Sequence, residues 1–412
     1  MTLHSSSRPA GDSLRMLVIT TAEVTMGNFF ARQIGYLAQE GFRVHAACSP
    51  GPGLDKVAAL PGVATHPIPM ARQPHPLRDI QSFLALYSLM RRIRPEIVHA
   101  HTPKAGLLGM AAARAAGVPV RLYTIHGLPL LTRRGKWRRV LEGAEKSSCA
   151  LATQVYSVSP SLRDLIAELR LCPDAKLATL GNGSCAGLDV ERFDTSARWS
   201  AQAADLRRTH GIPAGAQTLT FVGRIARDKG IAILAVAWRE LAAEFSHLHL
   251  LFAGEEDESD PVDPAVLREL CSHPRVHFTG SWDEDIPAFY AATDILVLPT
   301  FREGLGQVVL EAGAMGVPVV STRIPGVVNA LRDGETGLLV PPREVSALTH
   351  AVRRLVLDVK LRATLGAAAR EYVRTRFSEQ FVNQLWISEY RKLAHRSNPK
   401  FASGLAQAES PR

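Results

Sequence analysis

At 412 residues the chain is too long for one ordinary core, and its 46% hydrophobic and 21% charged content is that of a globular protein, so two domains are expected. No apolar run approaches the ~18–20 residues a membrane-crossing helix needs, which excludes such a span. The net charge of +9 allows an anionic lipid surface or a polyanionic substrate, but no helix-turn-helix, RNA-recognition or zinc-finger pattern is present, so nucleic acid is not expected as a partner.

The start, MTLHSSSRPAGDSLR, is polar and has no apolar signal region; residues 1–14 are expected to be disordered and no secretory signal is read. An apolar strand follows at 16–20, then a loop ending at Gly27, a helix over 28–40 stopped by Gly41, and a strand at 44–47. Ile80, Phe83, Leu84, Tyr87 and Met90 recur at helical spacing and predict a helix over 80–94, closed by Pro95. A strand at 97–100 leads into a helix reaching Ala116, and a strand at 120–125 ends on His126-Gly127. Helices at 136–152 and 160–169 flank a strand at 155–158, with Ser159-Pro160 as cap and first helical residue. Between 181 and 212 the pattern loosens into a linker. Alternation then resumes with strands at 219–222, 248–253, 276–279, 295–298, 317–320 and 337–340 and helices between them, and three helices close the chain near 344–357, 360–375 and 378–393. Strand–helix alternation on both sides of a linker predicts two doubly wound parallel sheets with a ligand cleft between their carboxyl ends. The five cysteines are scattered without a C-x-x-C pair, which argues against zinc and suits a reducing cytoplasm.

The most informative stretch is PTFREGLGQVVLEAGAMGVPVVS, from Pro299 to Ser321. A strand stops at Pro299, a loop carries Glu303, Gly304 and Gly306, and a helix starts near Gln307 with Glu311 in its first turns. Each carboxylate can accept from a pair of neighbouring hydroxyls, and the free N–H groups of the helix start suit a phosphate between them. Hydroxyls at both ends with phosphate in the middle describe a nucleotide sugar. A second motif, FVGRIARDKG, ends a strand at Gly223 and sets Arg224 and Lys229 five residues apart before a helix; a guanidinium can fork onto phosphate oxygens and an ammonium adds a compact charge.

The Glu-x7-Glu spacing inside P-x-x-x-E-G-x-G-x-x-x-x-E-A resembles the retaining glycosyltransferases of family 4, which have the GT-B fold; the resemblance covers about residues 15–395. It implies an N-terminal acceptor-side domain over 15–195, a nucleotide-sugar-binding domain over 212–378, and a final helix over about 379–395 that crosses back to the first domain. It implies a glycosyltransferase of the hexosyltransferase type. Arg224 and Lys229 would hold the diphosphate and stabilise the leaving nucleotide, Glu311 the ribose hydroxyls, and Glu303 the donor sugar. The backbone of Gly304, Leu305 and Gly306 would bind sugar and phosphate, and His126 would lie near the donor sugar as a further catalytic residue. Gly27 stands where the family often has a glycine-rich diphosphate loop, although the common double glycine is missing. IVHAHTPKAGLLG and TRIPGVVNALRDGETGLLVPP resemble the subgroup that builds capsular, exopolysaccharide and O-antigen repeat units. That implies a nucleotide-sugar donor, with a UDP-sugar expected, and a polyprenyl-diphosphate-linked or other glycan acceptor at the inner face of the cytoplasmic membrane.

Several residues keep two readings. His101 and Lys104 read as an ordinary strand end and helix start near the cleft, and Lys104 has a second reading, as a group meeting the acceptor diphosphate. Arg133–Arg139, with Trp137, is either a solvated helix face or a basic helix lying on anionic lipid. Asp283-Glu284-Asp285 matches D-x-D but precedes Ile286-Pro287, so helix capping accounts for it; no metal and no other cofactor is expected. The run from Glu255 to Asp260 is expected to be a solvated loop, with Glu255 the residue best placed to approach the nucleotide. A nucleotide-sugar 2-epimerase on the same fold and a non-catalytic nucleotide-sugar-binding protein are the alternative functions.

Overall fold

A computed structural model describes residues 13–71, 73–194, 197–282 and 286–397. Among the described residues thirteen strands form two all-parallel sheets. The first holds β1 (Arg15–Ile19), β2 (Arg43–Cys48), β3 (Val63–Pro67), β4 (Ile97–His101), β5 (Val120–Ile125), β6 (Gln154–Ser157) and β7 (Leu177–Thr179) in the order β3-β2-β1-β4-β5-β6-β7. The second holds β8 (Gln217–Val222), β9 (Leu248–Ala253), β10 (Val276–Phe278), β11 (Ile295–Leu298), β12 (Val319–Thr322) and β13 (Gly337–Val340) in the order β10-β9-β8-β11-β12-β13. Both orders reverse beside the first strand of the unit, which leaves a crevice at that strand's carboxyl end. Central strands such as Leu-His-Leu-Leu-Phe-Ala in β9 and Ile-Leu-Val-Leu in β11 are buried along their whole length, because helices cover both faces of a parallel sheet.

The helices start where sequence chemistry directs. Pro76, Pro103, Pro160 and Pro264 each occupy a first helical position, where no N–H is needed. Ser159 caps the helix Pro160–Glu168, its hydroxyl accepting from the Leu162 N–H. Four findings differ from the sequence reading. The helix expected from Asn28 begins at Glu23 and passes through a π-helical stretch, Met26–Phe30. β3, β7 and the helix Pro52–Ala58 carry too few apolar residues to announce themselves. The stretch read as linker contains a helix, Ala197–Thr209, whose Arg207 donates to Thr218 Oγ1 and to the Ala292 carbonyl of the second domain. Finally, the helix Pro76–Ile93 buries Ser82, Leu86, Leu89 and Met90, while Ile80 and Leu84 are 57% and 55% exposed.

The last helix, Glu379–Ser397, packs against β5 and the helix Ala31–Gln39 of the first domain. Trp386 sits edge-on to Tyr156, Tyr390 hydrogen-bonds His99, and the Gln33 amide donates to Asn383 Oδ1. The two domains also touch directly at the cleft. Ser159 Oγ donates to the Gly304 carbonyl at 2.6 Å, the Gly326 N–H donates to Ser161 Oγ at 2.7 Å, and the Ser161 N–H donates to Asn329 Oδ1 at 3.0 Å.

Candidate active site

The loops leaving β8 and β11 are neighbours because those strands pair in the sheet. Their packing is tight. A Cβ on Gly230, which has φ of +75°, would lie 2.0 Å from the Pro299 carbonyl oxygen, so no other residue fits without moving the backbone. The Phe301 N–H donates to the Asp228 carbonyl at 2.8 Å and locks the loops together. This brings Lys229 onto Glu303: Nζ donates to Oε1 at 2.5 Å, with the two side chains 14% and 15% exposed. Two motifs more than seventy residues apart therefore meet in one ion pair.

Arg224 lies on the same loop as Lys229 but is held differently. Its guanidinium pairs with Asp257 and lies 3.6 Å from Asp228 Oδ2. Asp228 is buried and also accepts from Arg302 at 2.5 Å. Asp228 thus braces Arg224 against the loop of Glu303. The acidic run is a loop with Glu255, Glu256 and Glu258 exposed, as expected, but Asp257 holds Arg224, and Asp260 accepts from Arg227 and from the Asp228 N–H, so paired charges fix it. The Glu255 carbonyl accepts from the Ile225 N–H.

Glu311 projects from the helix Gln307–Ala314, which starts at Gly306 with φ of +76°. Tyr290 Oη donates to Glu311 Oε2 at 2.9 Å. Burial pushes the Glu311 carboxyl up to about 7, against the opposing pull of Tyr290 and Arg192. Leu305, between the two glycines, is buried.

His126 follows β5 and meets this loop from the other domain. A Cβ on Gly304 would sit 2.0 Å from the His126 carbonyl oxygen, so the backbones of the two domains nearly touch there. Desolvation lowers His126 to about 4, which leaves the ring neutral at pH 7. Its Nε2 lies 3.0 Å from Nδ1 of buried His101. Among the described residues, His101, His126 and Cys185 are the group whose nitrogen and sulfur atoms come close enough to hold a metal ion, all within 4.8 Å. Hydrogen bonding accounts for that closeness, at 3.0 Å between the histidines and 3.6 Å from the Cys185 thiol to His101.

The remaining candidates fall as follows. Gly27 lies in the π-helical stretch after β1, and packing explains it: a Cβ there would be 2.5 Å from the Gly53 Cα. Lys104 donates to both oxygens of Asp79, at 2.7 and 2.8 Å, and to the Gln73 carbonyl, so a structural role accounts for it. Residues 133–140 are exposed, Trp137 at 60%, on the first turns of the helix Gly135–Leu151; Arg133 also donates to the Ser259 carbonyl across the cleft. Asp283, Glu284 and Asp285 lie outside the described residues. Sequence reasoning missed Asp228, Asp257, Tyr290, Ser159 and Ser161. Only Asp228 carried a signal, standing between cations in Arg-Asp-Lys.

Two facing Rossmann-like domains, with basic and acidic loops of the second closing on a histidine of the first, define a GT-B glycosyltransferase. Comparison with known proteins agrees. Residues 26–184 match the model of Glycosyltransferase Family 4, and residues 216–358 match that of Glycosyl transferases group 1. The capsular polysaccharide biosynthesis glycosyltransferase CapM of Staphylococcus aureus is 31% identical over 368 residues, 89% of this chain and 94% of the relative. The UDP-Gal:alpha-D-GlcNAc-diphosphoundecaprenol alpha-1,3-galactosyltransferase of Escherichia coli is 26% identical over 287 residues, 68% of this chain and 72% of the relative. Sucrose-phosphate synthase from Thermosynechococcus elongatus superposes with a TM-score of 0.78 at 22% identity, over 92% of this chain and 99% of its own. HepE from Anabaena, solved with UDP-glucose, superposes with a TM-score of 0.76 at 19% identity, again over 92% and 99%. The chain belongs to glycosyltransferase family 4.

Proposed function

We propose that the enzyme moves a sugar from a nucleoside diphosphate sugar, a UDP-sugar, to a polyprenyl-diphosphate-linked glycan acceptor, with retention and without a metal ion, during assembly of a capsular, exopolysaccharide or O-antigen repeat unit. One observation carries the reading: the Lys229 ammonium and the Glu303 carboxylate meet beside the Gly304 backbone, which the His126 carbonyl approaches from the other domain. Arg224 and Lys229 receive the diphosphate and offset the charge that builds on the leaving nucleotide. Glu311, set deeper beside Tyr290, accepts from the ribose hydroxyls. Glu303 accepts from hydroxyls of the donor sugar, and neutral His126 adds a hydrogen bond to it. Glu303 is already engaged by a cation, which suits a positioning role better than covalent attack, so retention follows from front-face attack or a short-lived ion pair. The names of the capsular and galactosyltransferase relatives support the donor and acceptor classes.

Membrane placement is part of the proposal. The exposed Trp137 and Val140 of the helix Gly135–Leu151 and the exposed Leu77, Ile80 and Leu84 of the helix Pro76–Ile93 flank the helix Pro103–Ala116, with Arg78, Arg133, Arg134, Lys136, Arg138 and Arg139 among them. Apolar side chains ringed by cations fit an anionic bilayer surface. Sedimentation with anionic vesicles, lost on neutral ones and in Trp137→Ala, supports this; equal partition to both refutes it.

The decisive assay is a panel of UDP- and GDP-sugars, read for hydrolysis and for transfer to a lipid-linked acceptor. Transfer with retained anomeric configuration and unchanged rate in EDTA is expected. An inverted product or a manganese requirement overturns the mechanism, and donor conversion without an acceptor would instead mark an epimerase.

A further inference from the structure

The end of β4 and the residue after β5 are neighbours in the sheet, with His101 opposite Thr124, so His101 and His126 emerge side by side. His101 is 1% exposed. Its ring lies between Phe30 and His99, with centroids 4.2 and 4.0 Å away. His99 is itself tied down: Nδ1 hydrogen-bonds Tyr390 Oη at 2.8 Å and Nε2 hydrogen-bonds Thr124 Oγ1 at 2.7 Å. The Cys185 thiol, 3.6 Å from His101 Nδ1, closes the remaining side, and the Gln33 amide fixes the Cys185 carbonyl at 2.6 Å. A ladder therefore runs from the last helix through buried His99 and His101 to His126, which is not itself buried. The rung at its open end is the hydrogen bond between His101 Nδ1 and His126 Nε2. His126 Nδ1 hydrogen-bonds none of the described residues.

A neutral imidazole has one donating and one accepting nitrogen, and the partner of one nitrogen decides the character of the other. We propose that His101 is a positioning residue for sugar transfer: by occupying Nε2 of His126 it fixes the ring and its tautomer and leaves Nδ1 as the nitrogen that meets the donor sugar. This rests on the placement of His126 at the donor sugar given above. Removing the rung frees the ring to rotate and to exchange tautomers. Nucleotide affinity is held by Arg224, Lys229 and Glu311, none of which touches His101, so the loss falls on the chemical step.

The test pairs two variants. His101→Phe keeps a flat ring but no nitrogen; His101→Asn keeps a polar atom near the place of Nδ1. Loss of one neutral hydrogen bond predicts kcat about tenfold lower in H101F with donor KM changed by less than about twofold, and kcat of H101N within about threefold of wild type. The ring ¹⁵N resonances of His126 in the ligand-free enzyme should show one tautomer in wild type and H101N, and a mixture in H101F. Equal losses in the two variants, or an unchanged His126 spectrum in H101F, would reduce His101 to a packing residue. Two interconverting tautomers in the wild-type enzyme would overturn the proposal without any variant. Failure of the nucleotide-sugar reading itself appears elsewhere, as absence of nucleoside diphosphate binding to wild type by calorimetry, so the two failures are distinguishable.

Discussion

Replacing Glu303 by Gln should tighten the binding of a bare nucleoside diphosphate while abolishing sugar transfer. Lys229 Nζ lies 2.5 Å from Glu303 Oε1, with both side chains mostly buried. At an effective dielectric of about 20 the gross attraction is roughly 6–7 kcal/mol, and desolvation of the two ions offsets most of it, leaving about 1–3 kcal/mol. A diphosphate that recruits Lys229 must loosen this contact. Glutamine keeps the shape and removes the charge, so Lys229 becomes available and the Kd for UDP should fall by about thirtyfold, the middle of that range. Transfer should fall at the same time, because the donor sugar loses its carboxylate acceptor. Lys229→Met should do the opposite to binding, weakening UDP by about tenfold or more and destabilising the fold through an unpaired Glu303. Isothermal titration with UDP, run beside the transfer assay, reads both quantities. A Glu303→Gln enzyme that binds UDP more weakly than wild type, or that still transfers at the wild-type rate, would refute the reasoning.

Three further outcomes follow from the same geometry. Gly304→Ala would put a Cβ 2.0 Å from the His126 carbonyl, so the two domains cannot close as they do; about a hundredfold loss of transfer is expected, with an unchanged circular dichroism spectrum. Glu311, pushed up to about 7 by burial, is ionised above that pH and protonated below it, so UDP affinity should decline from pH 8 to pH 6; Glu311→Gln should raise Kd about tenfold and remove the pH dependence, as titrations at three pH values would show. Burial lowers His99 to about 3, desolvation lowers His126 to about 4, and burial holds His101 well below the ordinary 6.5. The unfolded chain protonates these rings as pH falls through ~6.5 while the folded one does not, so stability present above that pH is lost on acidification, about 2 kcal/mol by pH 5 for His99 alone. Glu145 and Glu311, both raised to about 7, act in the opposite sense, their contribution being lost as pH rises, but His66 and His277, each lowered to about 4, add to the larger histidine side. Tm should therefore drop between pH 7 and pH 5, and a rise in a thermal melt would count against the ladder.

The sequence by itself determined the architecture and the two site motifs. Parallel strands covered on both faces are written as short, nearly unbroken apolar runs, so β1, β4, β9 and β11 stood out, and the proline and glycine boundaries placed the helices around them. The Glu303–Glu311 and Arg224–Lys229 spacings are local, because one strand–loop–helix unit fixes the residues of each motif. Helix faces were less legible: of the periodic residues Met90 is buried and Phe83 and Tyr87 pack in part, yet Ile80 and Leu84 are exposed and Leu86 and Leu89 pack instead. Periodicity identifies a helix but does not say which neighbour it will meet.

Tertiary structure alone decided the pairings between segments. It set Lys229 on Glu303, Asp257 on Arg224 and Tyr290 on Glu311, and it brought the Gly304 backbone against His126 from the other domain. It also made His101 the partner of His126, although twenty-five residues separate them. The physical reason is that a hydrogen bond or ion pair between distant segments leaves no periodic trace in the chain. Its partners become neighbours only after the sheet order has put their strands side by side.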